Sequence, residues 1–163
     1  MDLTIREYHD GDFAAACGLE RENSPNGCKP EVFVRQAGVL FAGTFLVAEC
    51  DGRTVGYTIG ALVQHRPATG WIIRLAVAEP YRRRGIGERL IAAAVAGLRE
   101  RGAYEVYLSV APENHAARSL YKRHGFRETD FHPAYFGEGG DRCILRKDLT
   151  GREDFNLLRL KPV

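Results

Sequence analysis

Apolar positions change their spacing several times along the chain, and each change marks a change of element. Leu3 and Ile5 alternate with polar neighbours in Leu3 to Glu7, which predicts a short strand with one buried face. Asp10 is placed to cap a helix running to about Arg21. Asn, Ser, Pro and Gly cluster in Glu22 to Lys29, which predicts a loop, and Pro30 suits the first turn of a second helix to about Ala37. Thr44 to Cys50 and Arg53 to Val63 are rich in apolar, β-branched and aromatic residues. Asp51-Gly52 between them fits a tight type I′ turn, so the pair predicts a hairpin. A loop is expected over Gln64 to Gly70, which holds Pro67 and Gly70. Trp71 to Ala78 is then almost wholly apolar, with Arg74 its only charge, as expected of a strand covered on both faces.

Pro80 ends that strand, and the period switches to that of a helix. Ile86, Leu90, Ile91, Ala94 and Leu98 form one stripe up to about Arg101, opposite Glu88, Arg89, Arg99 and Glu100. Glu105 to Val110 alternates again. Asn114 caps a helix through about Lys122, and Phe126 to Phe131 and Cys143 to Leu149 read as two last strands. The order is strand, two helices, three strands, helix, strand, helix, two strands. A strand–helix–strand unit over Trp71 to Val110 requires a parallel crossover, and the hairpins require antiparallel pairs, so the sheet is mixed. No internal linker interrupts residues 1–149, which are expected to form one α/β domain, with 150–163 as a tail.

Composition narrows the function without naming it. The 163 residues are 45% hydrophobic and 27% charged, the balance of a globular domain with one core. The 23 basic and 21 acidic side chains leave a net charge of +2, which gives no global attraction to nucleic acid or membrane. No apolar run approaches the roughly 20 residues that span a bilayer, and the charged start lacks a signal core, so a cytoplasmic location is expected. Cys17, Cys28, Cys50 and Cys143 are widely spaced and form no CxxC pair. They predict structural thiols and no metal site, with a nucleophilic cysteine as the lesser alternative.

The segment with the most chemistry is Arg82-Arg83-Arg84-Gly85-Ile86-Gly87, between a buried strand and a helix. A helix start offers unpartnered N–H groups and about half a positive charge. Glycines at 85 and 87 let a pyrophosphate come close, and three arginines raise the local potential. A plain loop with a solvated arginine cluster is the alternative. The third glycine of a dinucleotide fingerprint is replaced by Leu90, and the Gly-Lys-Ser/Thr of a Walker loop is missing.

With Leu75-Ala76-Val77 before it, this segment resembles the Arg/Gln-x-x-Gly-x-Gly/Ala signature of the GNAT acetyltransferases, met by Arg82, Gly85 and Gly87. A second stretch, Leu108 to Phe126, resembles that family's strand, Asn-capped helix, Leu120-Tyr121 pair and Gly125-Phe126 ending. The resemblance implies a single-domain GNAT fold: a mixed sheet of about six to seven strands, helices on both faces, and a splay between strands 4 and 5. It implies acetyl-coenzyme A as donor, bound by Leu75, Ala76, Val77, Arg82, Arg83, Arg84, Gly85, Ile86, Gly87, Glu88, Asn114 and Tyr121. Tyr121 is the matched general acid, a phenol of pKa ~10 able to protonate a thiolate of conjugate-acid pKa ~8.5.

The acceptor is an amine by the same resemblance. Glu22-Asn23-Ser24-Pro25, Glu31-Val32-Phe33 and Pro133 to Asp141 are similar to segments of the protein N-terminal acetyltransferases, with Phe136 in place of a second tyrosine. Tyr135, Phe136 and Arg74 are therefore candidate acceptor contacts, Arg74 standing where a small polar residue is usual. Serine at 109 replaces the acidic or imidazole base of such relatives. Glu79, Glu113, His115 and His132, or water, remain as candidate bases. Peptide N-termini, lysine side chains and small amines stay open as acceptors. So does a module that binds acyl-coenzyme A without turnover, as a monomer or a homodimer.

Overall fold

The computed structural model describes residues 2–24 and 29–151. The chain forms β1 (Leu3–Glu7), α1 (Phe13–Asn23), α2 (Pro30–Leu40), β2 (Phe45–Cys50), β3 (Arg53–Val63), β4 (Arg66–Val77), α3 (Ile86–Glu100), β5 (Glu105–Val110), α4 (His115–Arg123), β6 (Arg127–His132) and β7 (Arg142–Asp148). This is the order expected from the hydrophobic pattern. One seven-stranded sheet runs β1-β2-β3-β4-β5-β7-β6, with β4 at its centre. All neighbours are antiparallel except β4 and β5, which are parallel and joined through α3.

Helices cover both faces. Ala16, Cys17 and Leu19 of α1 and Val34 and Ala37 of α2 pack on Phe45, Val47, Tyr57, Ile59 and Ala76 of the sheet. On the other face, Ile91, Ala94 and Leu98 of α3 and Tyr121 of α4 share a core with Ile72, Val106, Leu108, Val110 and Leu145. Leu98 sits so close that a Cβ on Gly60 or Gly70 would come within 3.2 or 3.1 Å of it. Small residues on β3 and β4 thus let α3 lie tightly on the sheet, where each fully buried aliphatic side chain contributes about 1.5–3 kcal/mol.

Several local expectations are corrected. His9, not Asp10, opens the first helical region: its Nδ1 accepts from the Gly11 N–H at 3.1 Å, and Asp12 Oδ2 accepts the His9 N–H at 3.0 Å. Asp10 pairs with Arg35 of α2 instead, at 3.2 Å. The predicted loop at Gln64 to Gly70 is mostly strand, because β4 starts at Arg66. Pro67 is tolerated there because the β3–β4 pairing jumps from Val63↔Arg66 to Leu62↔Gly70, so no ladder bond needs its missing N–H. The loop placed at Glu22 to Lys29 shrinks, as α1 continues to Asn23. Its residues 25–28, including Cys28, lie outside the described residues, as does the expected tail beyond Gly151. Asp51 (φ 48°) and Gly52 (φ 77°) both take the left-handed conformation expected of the hairpin turn. Among the described residues, no helix is long and apolar enough to cross a membrane.

One buried ion cluster ties β1 to the rest. Arg6 donates to both oxygens of Asp12 at 2.8 and 2.9 Å and to Glu49 at 2.7 Å, and Thr54 donates to Asp12 at 2.6 Å. Burial alone raises the Asp12 pKa, but the hydrogen bonds from Arg6, Thr54 and the His9 amide outweigh it and hold it at about 2. A folded pKa below the unfolded value of 3.8 gives stability that is present above pH ~4 and lost as pH falls toward 2. Asp12→Asn should therefore cost about 2 kcal/mol at neutral pH and flatten the acid limb of stability between pH ~4 and ~2. Urea unfolding across that range checks both.

Candidate active site

The parallel pairing of β4 with β5 is short. It runs from Thr69↔Glu105 to Ile72↔Leu108 and then stops, although β4 continues to Val77 and β5 to Val110. The two strands diverge at this point, which is the expected splay. The Ala78 N–H is spent on the Val55 carbonyl at 2.8 Å, on the β3 side. Strand alternation then points the N–H and C=O of Leu75 and Val77 to the opposite edge, where β5 has departed. Apart from the Val77 carbonyl, which accepts from Arg82 Nε at 2.9 Å, that edge is free to pair with an extended ligand.

Just beyond the edge the chain turns into α3. Arg83 (φ 60°) and Gly85 (φ 77°) are both left-handed, and a Cβ on Gly85 would meet nothing within 4 Å. Gly85 is the N-cap and supplies no side-chain bond. The first helical bond runs from the Arg89 N–H to the Gly85 carbonyl at 3.1 Å, so the Ile86, Gly87 and Glu88 amides have no partner within the helix. These amides and the positive end of the helix dipole fit a diphosphate. An open concavity of about 490 Å³ adjoins them, lined by Leu3, Arg84, Gly85, Glu88, Arg89, Ala92 and His124. The three arginines divide. Arg82 turns back, donating from Nε to the Val77 carbonyl at 2.9 Å and reaching Asn23 Oδ1 at 3.5 Å, whereas Arg84 lies over the Tyr81 ring at 5.6 Å.

Tyr121 lies on α4, in the core it shares with Ile72, Leu108 and Val110. That helix is capped by Asn114, whose Oδ1 accepts from the Ala117 N–H at 3.1 Å. The Tyr121 ring is buried edge-on to Phe126, with centroids 6.0 Å apart. Burial pushes its phenol up to about 12, so the group stays protonated throughout the neutral range. Leu120, its neighbour, lies 3.3 Å from where a Gly87 Cβ would stand, so α3 and α4 converge at this point.

The opposite face, under α1 and α2, carries Arg74. Its Nε donates to Glu20 at 3.1 Å, its Nη1 to the Ile73 carbonyl at 3.0 Å, and its guanidinium lies 4.7 Å from the Phe33 ring centroid. Glu20 is 2% exposed and also accepts a short bond from the Tyr57 hydroxyl. Burial, then that carboxylate, pushes the Tyr57 phenol well above its ordinary value. Glu20 is missing from the residues expected to matter. The signal was present: Phe13, Ala16, Cys17 and Glu20 share one face of α1, and a carboxylate on an apolar stripe demands a partner.

Tyr135 and Phe136 lie in the β6–β7 connection, with ring centroids 4.9 Å apart and Arg142 stacked 4.7 Å from Phe136. Asp141 fixes this loop by accepting the Ala134 N–H at 2.8 Å. A cavity of about 270 Å³ beside it is lined by Val63, His65, Arg66, Trp71 and Tyr135. Of the candidate bases, Glu79, Glu113 and His115 are exposed, and His132 pairs with Asp130 at 3.0 Å. Cys17, Cys50 and Cys143 are buried free thiols, and burial raises the pKa of each, which removes the thiolate a nucleophile needs.

This geometry agrees with relatives in sequence and structure. The model of the acetyltransferase (GNAT) family matches residues 8–126. The chain is 34% identical, over 119 residues, to an N-alpha-acetyltransferase of Sulfurisphaera tokodaii, covering 67% of this chain and 71% of the relative. Ard1 from Thermoplasma volcanium has the same fold, with a TM-score of 0.81 at 24% identity over 90% of this chain and 97% of that one. So does yncA of Salmonella typhimurium, solved with its cofactor acetyl-CoA, with a TM-score of 0.80 at 17% identity over 96% and 99%. The chain belongs to the acetyltransferase (GNAT) family and is an N-acetyltransferase whose acetyl donor is acetyl-coenzyme A.

Proposed function

We propose that this enzyme acetylates the α-amine of a peptide or protein N-terminus, with donor and acceptor entering the β4–β5 splay from opposite faces of the sheet. Bound acetyl-coenzyme A supplies the acetyl group as an activated thioester. The Ile86, Gly87 and Glu88 amides, with Arg83 and Arg84 beside them, hold its diphosphate. The Leu75 and Val77 edge orients its arm, and the Val77 N–H is placed to donate to the acyl oxygen. Tyr121 keeps a proton at Oη to give to the departing sulfur. Asn114 fixes the helix that carries Tyr121.

The observation that favours an α-amine is that Glu20, the buried carboxylate beside Arg74, is already engaged. Ser109 cannot accept a proton usefully. Glu20 is engaged by Arg74 and Tyr57, and the exposed candidates project from element ends. An acceptor that arrives partly neutral suits such a site. An α-amine titrates near ~7.7–8.0, and a lysine near ~10.4. The N-alpha-acetyltransferase names of the relatives, and the aromatic pair Tyr135 and Phe136 beside the slot, support the same reading.

Tyr121→Phe should lower kcat about 10²-fold or more with little change in affinity for coenzyme A. Unchanged turnover removes Tyr121 from the chemistry. For a peptide acceptor, kcat/KM should rise with pH through a midpoint near ~8 to a plateau near ~9 and show no alkaline fall below about pH 11, since the Tyr121 phenol must lose its proton near 12 to become inactive. Release of thiol, measured with matched α-amine and lysine peptides, tests the acceptor. A higher specificity constant for lysine rejects the α-amine reading.

A further inference from the structure

We infer that Arg74 reads a carboxylate on the acceptor, so that the preferred peptide carries Asp or Glu at its first or second position. This rests on the reading of the acceptor as a peptide α-amine. Arg74 lies on β4 two residues before Ala76, a separation of about 7 Å along a strand, and on the face packed by α1 and α2. A peptide residue spans about 3.5 Å. An acidic side chain in either of the first two positions therefore reaches Arg74 while the amine is at the splay.

The guanidinium is already held in one orientation. Glu20 fixes Nε, the Ile73 carbonyl fixes Nη1, and the Phe33 ring lies against one flat side. A guanidinium has five N–H donors. Two are used here, and Nη2 has no partner among the described residues. The side chain is 36% exposed while its anchor Glu20 is 2% exposed, so Arg74 stays accessible from solvent. A prefixed fork of this kind binds a second carboxylate with little further loss of side-chain freedom. Farther along the same strand, Arg66 has a buried Nε without a hydrogen-bond partner beside the cavity next to Tyr135, so the acceptor side carries a second cation with spare donors.

The bland alternative is that Arg74 only neutralises Glu20. The two are separated by comparing acids with their amide isosteres. Specificity constants are measured for peptides that differ only by Asp or Asn at position 1, or Glu or Gln at position 2, with free 2,4-diaminobutyrate as a further acceptor. They are measured on the wild type, on Arg74→Lys, and on Arg74→Gln combined with Glu20→Gln, which leaves no unpaired buried charge. The wild type should favour an acid over its amide by roughly 10- to 100-fold at one of the two positions. That ratio should fall to about 1 in the double variant and recover partly in Arg74→Lys. A ratio, unlike a rate, is unmoved by partial misfolding.

Equal use of acids and amides by the wild type, or a ratio unchanged in the double variant, overturns the role of Arg74 and leaves peptide acetylation standing. Acetylation of the free diamino acid with none of any peptide overturns both.

Discussion

Between Ile72 and Val77, β4 has a hydrogen-bonded neighbour on one edge only. A central strand with open backbone groups is costly in a packed domain, because buried N–H and C=O groups need partners. The rest of the site follows from that break. Leu75 and Val77 face the gap, and α3 starts just beyond it. In the proposed complex, a thioester arm would pair with the Leu75 groups and the Val77 N–H that β5 leaves open.

The gap persists because its surroundings are rigid. Leu98 is pressed against Gly60 and Gly70, which pins α3 to β3 and β4 just below the divergence. Trp71 stacks on Tyr107 at 5.6 Å across the next-to-last pair of β4 and β5, so the strands are clamped just before they part. Arg82 links the end of β4 to Asn23 at the end of α1. On the face packed by α1 and α2 the Glu20–Arg74–Tyr57 cluster does similar work with polar groups. Its members are hydrogen-bonded within the protein, with donors of Arg74 to spare.

The sequence displayed the elements well where one rule acted alone. The stripe on α3, the alternation in β5 and the Asp51-Gly52 turn each follow from local chemistry, and each is found as read. Pro67 and Gly70 misled because their tolerance depends on a pairing irregularity between β3 and β4, which no local pattern encodes. His9 was overlooked as a cap because its imidazole acts together with Asp12 three residues on. The helix start at Gly85 was legible through glycine spacing. The surroundings of Arg74 were legible only in part. Arg74 stood out as the lone charge in an apolar strand, but its partner Glu20 lies 54 positions away, and long-range pairing leaves no local trace.

The central claim is that the open edge of β4 and the first amides of α3 together seat acetyl-coenzyme A. Residue-resolved amide hydrogen exchange, with and without coenzyme A, addresses it most directly. The Leu75, Val77, Ile86, Gly87 and Glu88 amides should exchange readily in the free protein and become strongly protected on binding. Saturation with coenzyme A that leaves these five amides unprotected, or protects a different surface, contradicts the account.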